Sequence, residues 1–204
     1  MQLFKNYDFK RYNIALLVVV AMLISISVFL VRQVRPGDYK KQILGLLGGL
    51  IIAIIVSLFD YHFIAKFYII LYLINLVLLL LVKFVGVEYN NAQRWLNLRF
   101  VDIDIQPSEL TKIILIIFFA KLFTIFEHRI NNAIFLLIAI ILMAVPTYLI
   151  LTQTDLSTSI VLMAIFAMLI FAAGLHWKII LPLLIIGIPA FLGLFWYVQQ
   201  DYQK

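Results

Sequence analysis

Hydrophobic side chains run along this sequence in seven long blocks: Asn13–Val31, Gln42–Phe59, Ala65–Val82, Ser108–Phe126, Asn132–Leu151, Leu156–Ala173 and Ile179–Val198. Each approaches the ~20 residues that a helix needs to cross a hydrocarbon core roughly 30 Å thick. The connectors are short except for Lys83–Pro107. In lipid the backbone must satisfy its own hydrogen bonds, so these blocks predict α-helices. No strand-length alternation of the outer-membrane barrel kind recurs between turns. The pattern predicts an all-α polytopic membrane protein of about seven transmembrane helices, with one longer loop between helices 3 and 4. No low-complexity linker or helical repeat divides residues 1–204, which read as a single transmembrane domain. Lys5, Lys10 and Arg11 lead into the first block, as in a signal peptide. That block is longer than an h-region and lacks a small-x-small cleavage site, so it reads as a retained span.

Composition agrees. The chain is 65% hydrophobic and 13% charged, with a mean hydropathy of +1.10. Soluble domains average roughly 45–50% apolar and about 25% charged. A water-soluble globule of this length could not hide so much apolar surface. The absence of cysteine removes disulfides, thiolate nucleophiles, iron–sulfur clusters and cysteine–zinc sites. The net charge of +6 is no nucleic-acid footprint, because the 16 basic residues are scattered between apolar runs.

Charge does not settle orientation. With the N-terminus inside, the inner set is Lys5, Lys10, Arg11, Lys66, Lys121, Arg129 and Lys178. The outer set is Arg32, Arg35, Lys40, Lys41, Lys83, Arg94, Arg99 and Lys204, with Lys112 just inside span four. Seven against eight gives no positive-inside bias. One hypothesis is that some outer cations serve an anionic ligand.

The polar chemistry concentrates in Tyr89–Lys112. Leu96, Leu98 and Phe100 alternate with Asn97 and Arg99, as in a short interfacial strand, and Trp95 suits the headgroup level. Gln106–Pro107–Ser108–Glu109 has the form of a helix start, with Pro107 at the first helical position. Glu109 would meet the positive end of the helix dipole, and Lys112, three residues on, shares its face. Two roles stay open for the pair: a structural anchor, or a polar patch facing a charged headgroup. Arg94 is equally a snorkelling cation or a bidentate phosphate fork. Asp155, before Leu156–Ser157–Thr158, looks like an N-cap for span six. Pro146, Pro182 and Pro189 would kink their helices, and Gly45, Gly48 and Gly49 would let span two pack closely on a partner helix. His62, His128 and His176 are dispersed with no metal-ligand spacing.

The run NNAQRWLNLRFVDIDIQPSELTK, followed by QTDLSTS, resembles the SEDS family (shape, elongation, division and sporulation proteins), whose members include RodA, FtsW and SpoVE. Asn90, Ala92, Arg94, Trp95, Gln106, Pro107, Ser108, Glu109 and Lys112 match its first blocks. Gln153, Asp155, Leu156 and Thr158 match the last. Asn91, Arg99 and Ser157 stand where glycines are usual, and Thr154 where proline is. The short lead containing Asp8 resembles RodA more than FtsW.

The resemblance implies a peptidoglycan glycosyltransferase that polymerises lipid II, an undecaprenyl pyrophosphate-linked disaccharide, beside a class B penicillin-binding protein transpeptidase. Substrate binding would fall to Arg94, Gln106, Glu109, Lys112 and Asp155. It implies no catalytic residue here, because the family aspartate would lie beyond Lys204 and Asp201 comes too early. The chain is then the N-terminal part of a ten-helix protein of the bacterial cytoplasmic membrane, with its N-terminus cytoplasmic and the long loop extracytoplasmic. The cofactor stays open, a divalent metal such as magnesium being one option. Two other readings are a transporter of lipid-linked precursor and a non-catalytic scaffold for the transpeptidase.

Overall fold

The computed structural model describes residues 14–57, 59–89, 92–98 and 103–176, with single helical positions between 181 and 196. Six long helices follow the first six hydrophobic blocks: α1 (Ile14–Val34), α2 (Tyr39–Ser57), α4 (Tyr68–Val85), α5 (Pro107–Ile125), α6 (Ala133–Leu151) and α7 (Leu156–Ala172). The third begins later than the hydrophobic pattern predicts, because a short helix α3 (Tyr61–Ala65) and a turn occupy the start of the block. Asp60 caps α3. Its carboxylate accepts the His62 backbone N–H at 2.9 Å, and that bond, with the His62 ring beside it, holds the carboxyl below its ordinary range. The seventh block lies mostly outside the described residues.

Among the described residues, four helices are long and apolar enough to cross a membrane: α1, α2 with its preceding 3-10 turn, α4 and α6. Helix α5 has the length but carries Glu109, Lys112 and Lys121, and α7 is shorter.

Contacts divide the chain into residues 1–66 and 67–204. In the first unit, α1 and α2 form a hairpin across the 3-10 turn Pro36–Asp38. Gln42 Nε2 donates to Ser27 Oγ at 3.1 Å, and the Arg32 guanidinium lies 5.6 Å from the Tyr39 ring centroid. Neither helix has a buried residue. The close packing expected at Gly45, Gly48 and Gly49 is not seen: among the described residues, an added Cβ at any of them would meet nothing within 4 Å.

In the second unit, α4, α5, α6 and α7 pack around a fully buried Phe119. Its ring lies 4.9 Å from Phe166, 5.1 Å from Phe118 and 5.5 Å from Phe123. Tyr72 stacks on Phe118 at 4.4 Å and donates its hydroxyl to the Leu142 carbonyl at 2.7 Å. Lipid tails are as apolar as these side chains, so the bundle depends on close packing and interhelical hydrogen bonds. Pro146 lies buried inside α6, which continues through it.

The long loop holds a three-stranded antiparallel sheet of β1 (Val87–Tyr89), β2 (Ala92–Leu98) and β3 (Ile103–Ile105). The spans remain helical while the loop adds strands, of which only the central one was marked by alternation. Gly86 makes the exit from α4 possible. A Cβ there would stand 2.3 Å from the Val82 carbonyl oxygen, and Gln93 Nε2 donates to the Gly86 carbonyl at 2.7 Å. Across the sheet, Asn97 pairs with Asp104 through a 2.8 Å side-chain bond.

Phe119→Ala should cost about 3–5 kcal/mol, whereas Ile113→Ala, on the exposed face of the same helix, should stay within about 0.5 kcal/mol. Thermal unfolding of the two purified variants in detergent checks this; equal losses would contradict the packing described.

Candidate functional site

The polar residues singled out in the sequence gather where β2, the start of α5 and the α6–α7 turn converge. Pro107 opens α5 at its first position, as predicted. Gln106 precedes it in extended conformation, and its side chain makes no cap. Instead Gln106 Nε2 donates to Asp155 Oδ2 at 3.1 Å, which joins the start of α5 to the start of α7.

Asp155 is the N-cap the sequence indicated. Oδ1 accepts the Thr158 backbone N–H and the Ser157 hydroxyl, both at 3.1 Å, and Oδ2 accepts the Thr158 hydroxyl at 2.8 Å. With the bond from Gln106, four donors surround a carboxylate on a residue only 2% exposed. Burial of a charge is tolerable only with such compensation. This carboxylate is committed to holding the fold together.

Arg94 projects from β2 onto the same turn. Its Nε donates to the Gln153 carbonyl at 3.1 Å and its Nη2 to the Thr154 carbonyl, with Thr154 Oγ1 3.4 Å away. Among the described residues no carboxylate pairs with it, so its charge is solvated by backbone dipoles and remains electrostatically available. Gln153, buried beside it, reaches the other way: Nε2 donates to the Leu79 carbonyl of α4 at 3.2 Å.

Thr154 is the one described non-glycine residue with positive φ, at 59°. The Asp155 N–H bonds the Ile150 carbonyl at 3.4 Å, and the Thr154 N–H bonds that of Leu151 at 2.9 Å. These are the two bonds of a Schellman closure, whose left-handed position glycine usually fills. Helix α7 closes the same way, with Leu175 on Ile170 at 3.3 Å, Gly174 on Phe171 at 3.0 Å, and Gly174 at φ 86°. A β-branched residue in that conformation is a strained choice.

Glu109 and Lys112 form the expected pair on α5, Nζ to Oε1 at 2.8 Å, with side chains 57% and 28% exposed. Among the described residues, no bond links this pair to Arg94 or Asp155. The five expected site residues therefore fall into three groups: Arg94 on the turn, Gln106 on Asp155, and Glu109 on Lys112. Asn90, Asn91, Arg99 and Asp201 lie outside the described residues. His62, His128 and His176 are separate, and no group of three or more His, Asp or Glu side chains gathers as a metal site among the described residues.

Asn75 was missed by sequence reasoning. It is fully buried in α4 and accepts the Thr111 hydroxyl at 2.7 Å. A lone amide inside the apolar run around it was the available signal.

Fold and site define a polytopic membrane protein whose polar groups collect at one end of a helix bundle, under a small sheet. The chain belongs to the cell cycle protein family of FtsW, RodA and SpoVE, whose model matches residues 9–204. It is 33% identical over 137 residues to the peptidoglycan glycosyltransferase MrdB of Escherichia coli K12, covering 66% of this chain and 35% of that protein. It is 29% identical over 200 residues to a probable peptidoglycan glycosyltransferase FtsW of Trichlorobacter lovleyi, covering 91% of this chain and 52% of that one. Among solved structures it matches the rod shape determining protein RodA of Thermus thermophilus with a TM-score of 0.77 and 26% identity, over 91% of this chain and 60% of that one. A chain from a peptidoglycan synthase complex matches with a TM-score of 0.74 and 27% identity, over 88% of this chain and 52% of that one. The chain thus spans between a third and about half of these two curated relatives.

Thr154→Gly should stabilise the protein by about 1 kcal/mol by removing the left-handed penalty, and Gly174→Thr should destabilise it by at least as much. Chemical unfolding of both variants in detergent checks the pair; a loss of stability in Thr154→Gly would show that the threonine contacts outweigh the strain.

Proposed function

We propose that this chain provides part of a SEDS-type peptidoglycan glycosyltransferase that polymerises lipid II, and that its convergent polar end meets the pyrophosphate of the lipid-linked sugar. The observation that carries the reading is the state of the two cations. Arg94 is fixed by backbone carbonyls and, among the described residues, pairs with no carboxylate, while Lys112 is held by Glu109 at a partly open surface. An exposed pair of this kind adds only about 0–1 kcal/mol to stability. Its value here lies in aiming an ammonium group. Pyrophosphate is a large anion that charge-assisted donors recognise well, and preset donors hold it at little reorganisation cost.

Within this reading the residues divide the work. Lys112 contacts the pyrophosphate, Glu109 orients Lys112, and Arg94 adds positive potential from the neighbouring strand. Gln106 and Asp155 act one step back, because their mutual bond fixes the start of α5 against α7. Proton transfer from the attacking sugar hydroxyl falls to no residue described here. The chain corresponds to the N-terminal part of a ten-helix protein, with the family's aspartate in the remainder. The sheet faces outward from the cytoplasmic membrane and the N-terminus inward. The partner would be a class B penicillin-binding protein, a reading supported by the likeness to a chain of a peptidoglycan synthase complex.

Two measurements test this. Fluorescent lipid II titrated onto the purified chain in detergent should bind about tenfold more weakly to Lys112→Ala, with a smaller but measurable loss in Glu109→Ala, which leaves Lys112 unoriented. Unchanged affinity in both would remove the pyrophosphate assignment. Asn97→Cys, in this cysteine-free chain, should react with an impermeant maleimide in intact cells; labelling only after lysis would reverse the topology.

A further inference from the structure

Three buried polar atoms on three separate elements have no hydrogen-bond partner among the described residues: Asn75 Nδ2, Ser108 Oγ and Gln153 Oε1. Asn75 is 0%, Ser108 1% and Gln153 5% exposed. Their other contacts place them on neighbouring turns of elements that pack together. Thr111 donates to Asn75 Oδ1 at 2.7 Å, and Ser108 stands one turn earlier on the same face of α5. Gln153 Nε2 is anchored on the Leu79 carbonyl at 3.2 Å, one turn along α4 from Asn75.

The three atoms are chemically complementary but unjoined. Asn75 Nδ2 only donates, Gln153 Oε1 only accepts, and the Ser108 hydroxyl does either. An amide N–H pair and a carbonyl oxygen left bare inside a bundle are costly, and native proteins resolve such groups with a partner or an ordered water.

We infer that α4, α5 and the α6–α7 turn share a buried hydration site, in which water accepts from Asn75, donates to Gln153 and exchanges a bond with Ser108. Water matches this set because it supplies two donors and two acceptors, and buried waters typically make about three bonds. A metal ion does not match, since the groups are neutral and one of them is a pure donor. A charged substrate does not match either, because no ionised side chain belongs to the set. The site is independent of the proposed enzymatic role. It would give Gln153, whose carbonyl already receives Arg94, a second tie to α4 and a first tie to α5.

The experiment uses the whole purified chain in detergent. Ser108→Ala is diagnostic because its sign differs between the two cases. In a dry bundle it deletes an unsatisfied hydroxyl and should leave stability unchanged or raised. In a hydrated one it removes a partner of the water, and the unfolding midpoint should fall by roughly 2–4 °C. The second readout is X-ray hydroxyl-radical footprinting in H₂¹⁸O, which marks side chains beside bound water even when bulk solvent cannot reach them. Leu79, fully buried, should take up ¹⁸O in the unmodified protein and lose at least half of that label in Ser108→Ala. A midpoint that holds or rises would overturn the inference, and so would a fall in midpoint without label at Leu79.

Discussion

The Arg94 guanidinium, set against the carbonyls of Gln153 and Thr154, ties together two parts of the structure that lie about 60 residues apart in the chain. The sheet bearing Arg94 is built from the loop between α4 and α5, and the carbonyls belong to the turn between α6 and α7. A cation that finds backbone dipoles rather than a carboxylate keeps its charge while losing its freedom. That combination limits what the turn can do. It must present two carbonyls outward at successive residues, and a left-handed residue at Thr154 turns the chain so that Asp155 can then cap α7 from the other side. Position, strain and capping in this region are facets of one requirement.

The bundle beneath obeys a different rule. In lipid there is little hydrophobic gain from bringing apolar helices together, so Phe119 and its neighbouring rings act by filling space. Directional bonds between helices then matter individually. Tyr72 to the Leu142 carbonyl, Thr111 to Asn75 and Gln153 to the Leu79 carbonyl each cross from one element to another. The last two lie toward the end of the bundle where the sheet and the turn meet. Polar joinery and the candidate site therefore occupy the same region.

Features set by neighbours along the chain were legible in the order of residues alone. Pro107 at a helix start, Asp155 as a cap, and Glu109 with Lys112 three residues later all follow from local rules. Six long helices were legible too, with boundaries within a few residues. What escaped was long-range or too short to carry a period. Arg94 meets Gln153 and Thr154 across 59 and 60 residues, and no spacing rule announces such a pair. Strands β1 and β3 have three residues each, too few for alternation to declare itself. Asn75 was visible as an amide in an apolar run, yet its partner Thr111 lies on another helix. At the glycines of α2 no neighbour lies against the backbone among the described residues, since small side chains permit close packing without supplying one.

Helix α5 carries a consequence for how the protein is made. It packs against both α4 and α7, yet it brings Glu109, Lys112 and Lys121 into a 19-residue segment. On translocon-based scales each such charge at mid-helix opposes insertion by about 2.5–3.5 kcal/mol, less toward the ends. Glu109 and Lys112 lessen the burden by pairing at one end, and Lys121 lies toward the other, where it can snorkel. Even so, α5 combines a weaker claim on the bilayer than α4 or α6 with a face buried against both α4 and α7. Its entry is best served by waiting beside α4 in the insertion channel until α6 emerges. The order of synthesis, with two strongly apolar helices flanking a polar one, meets that need.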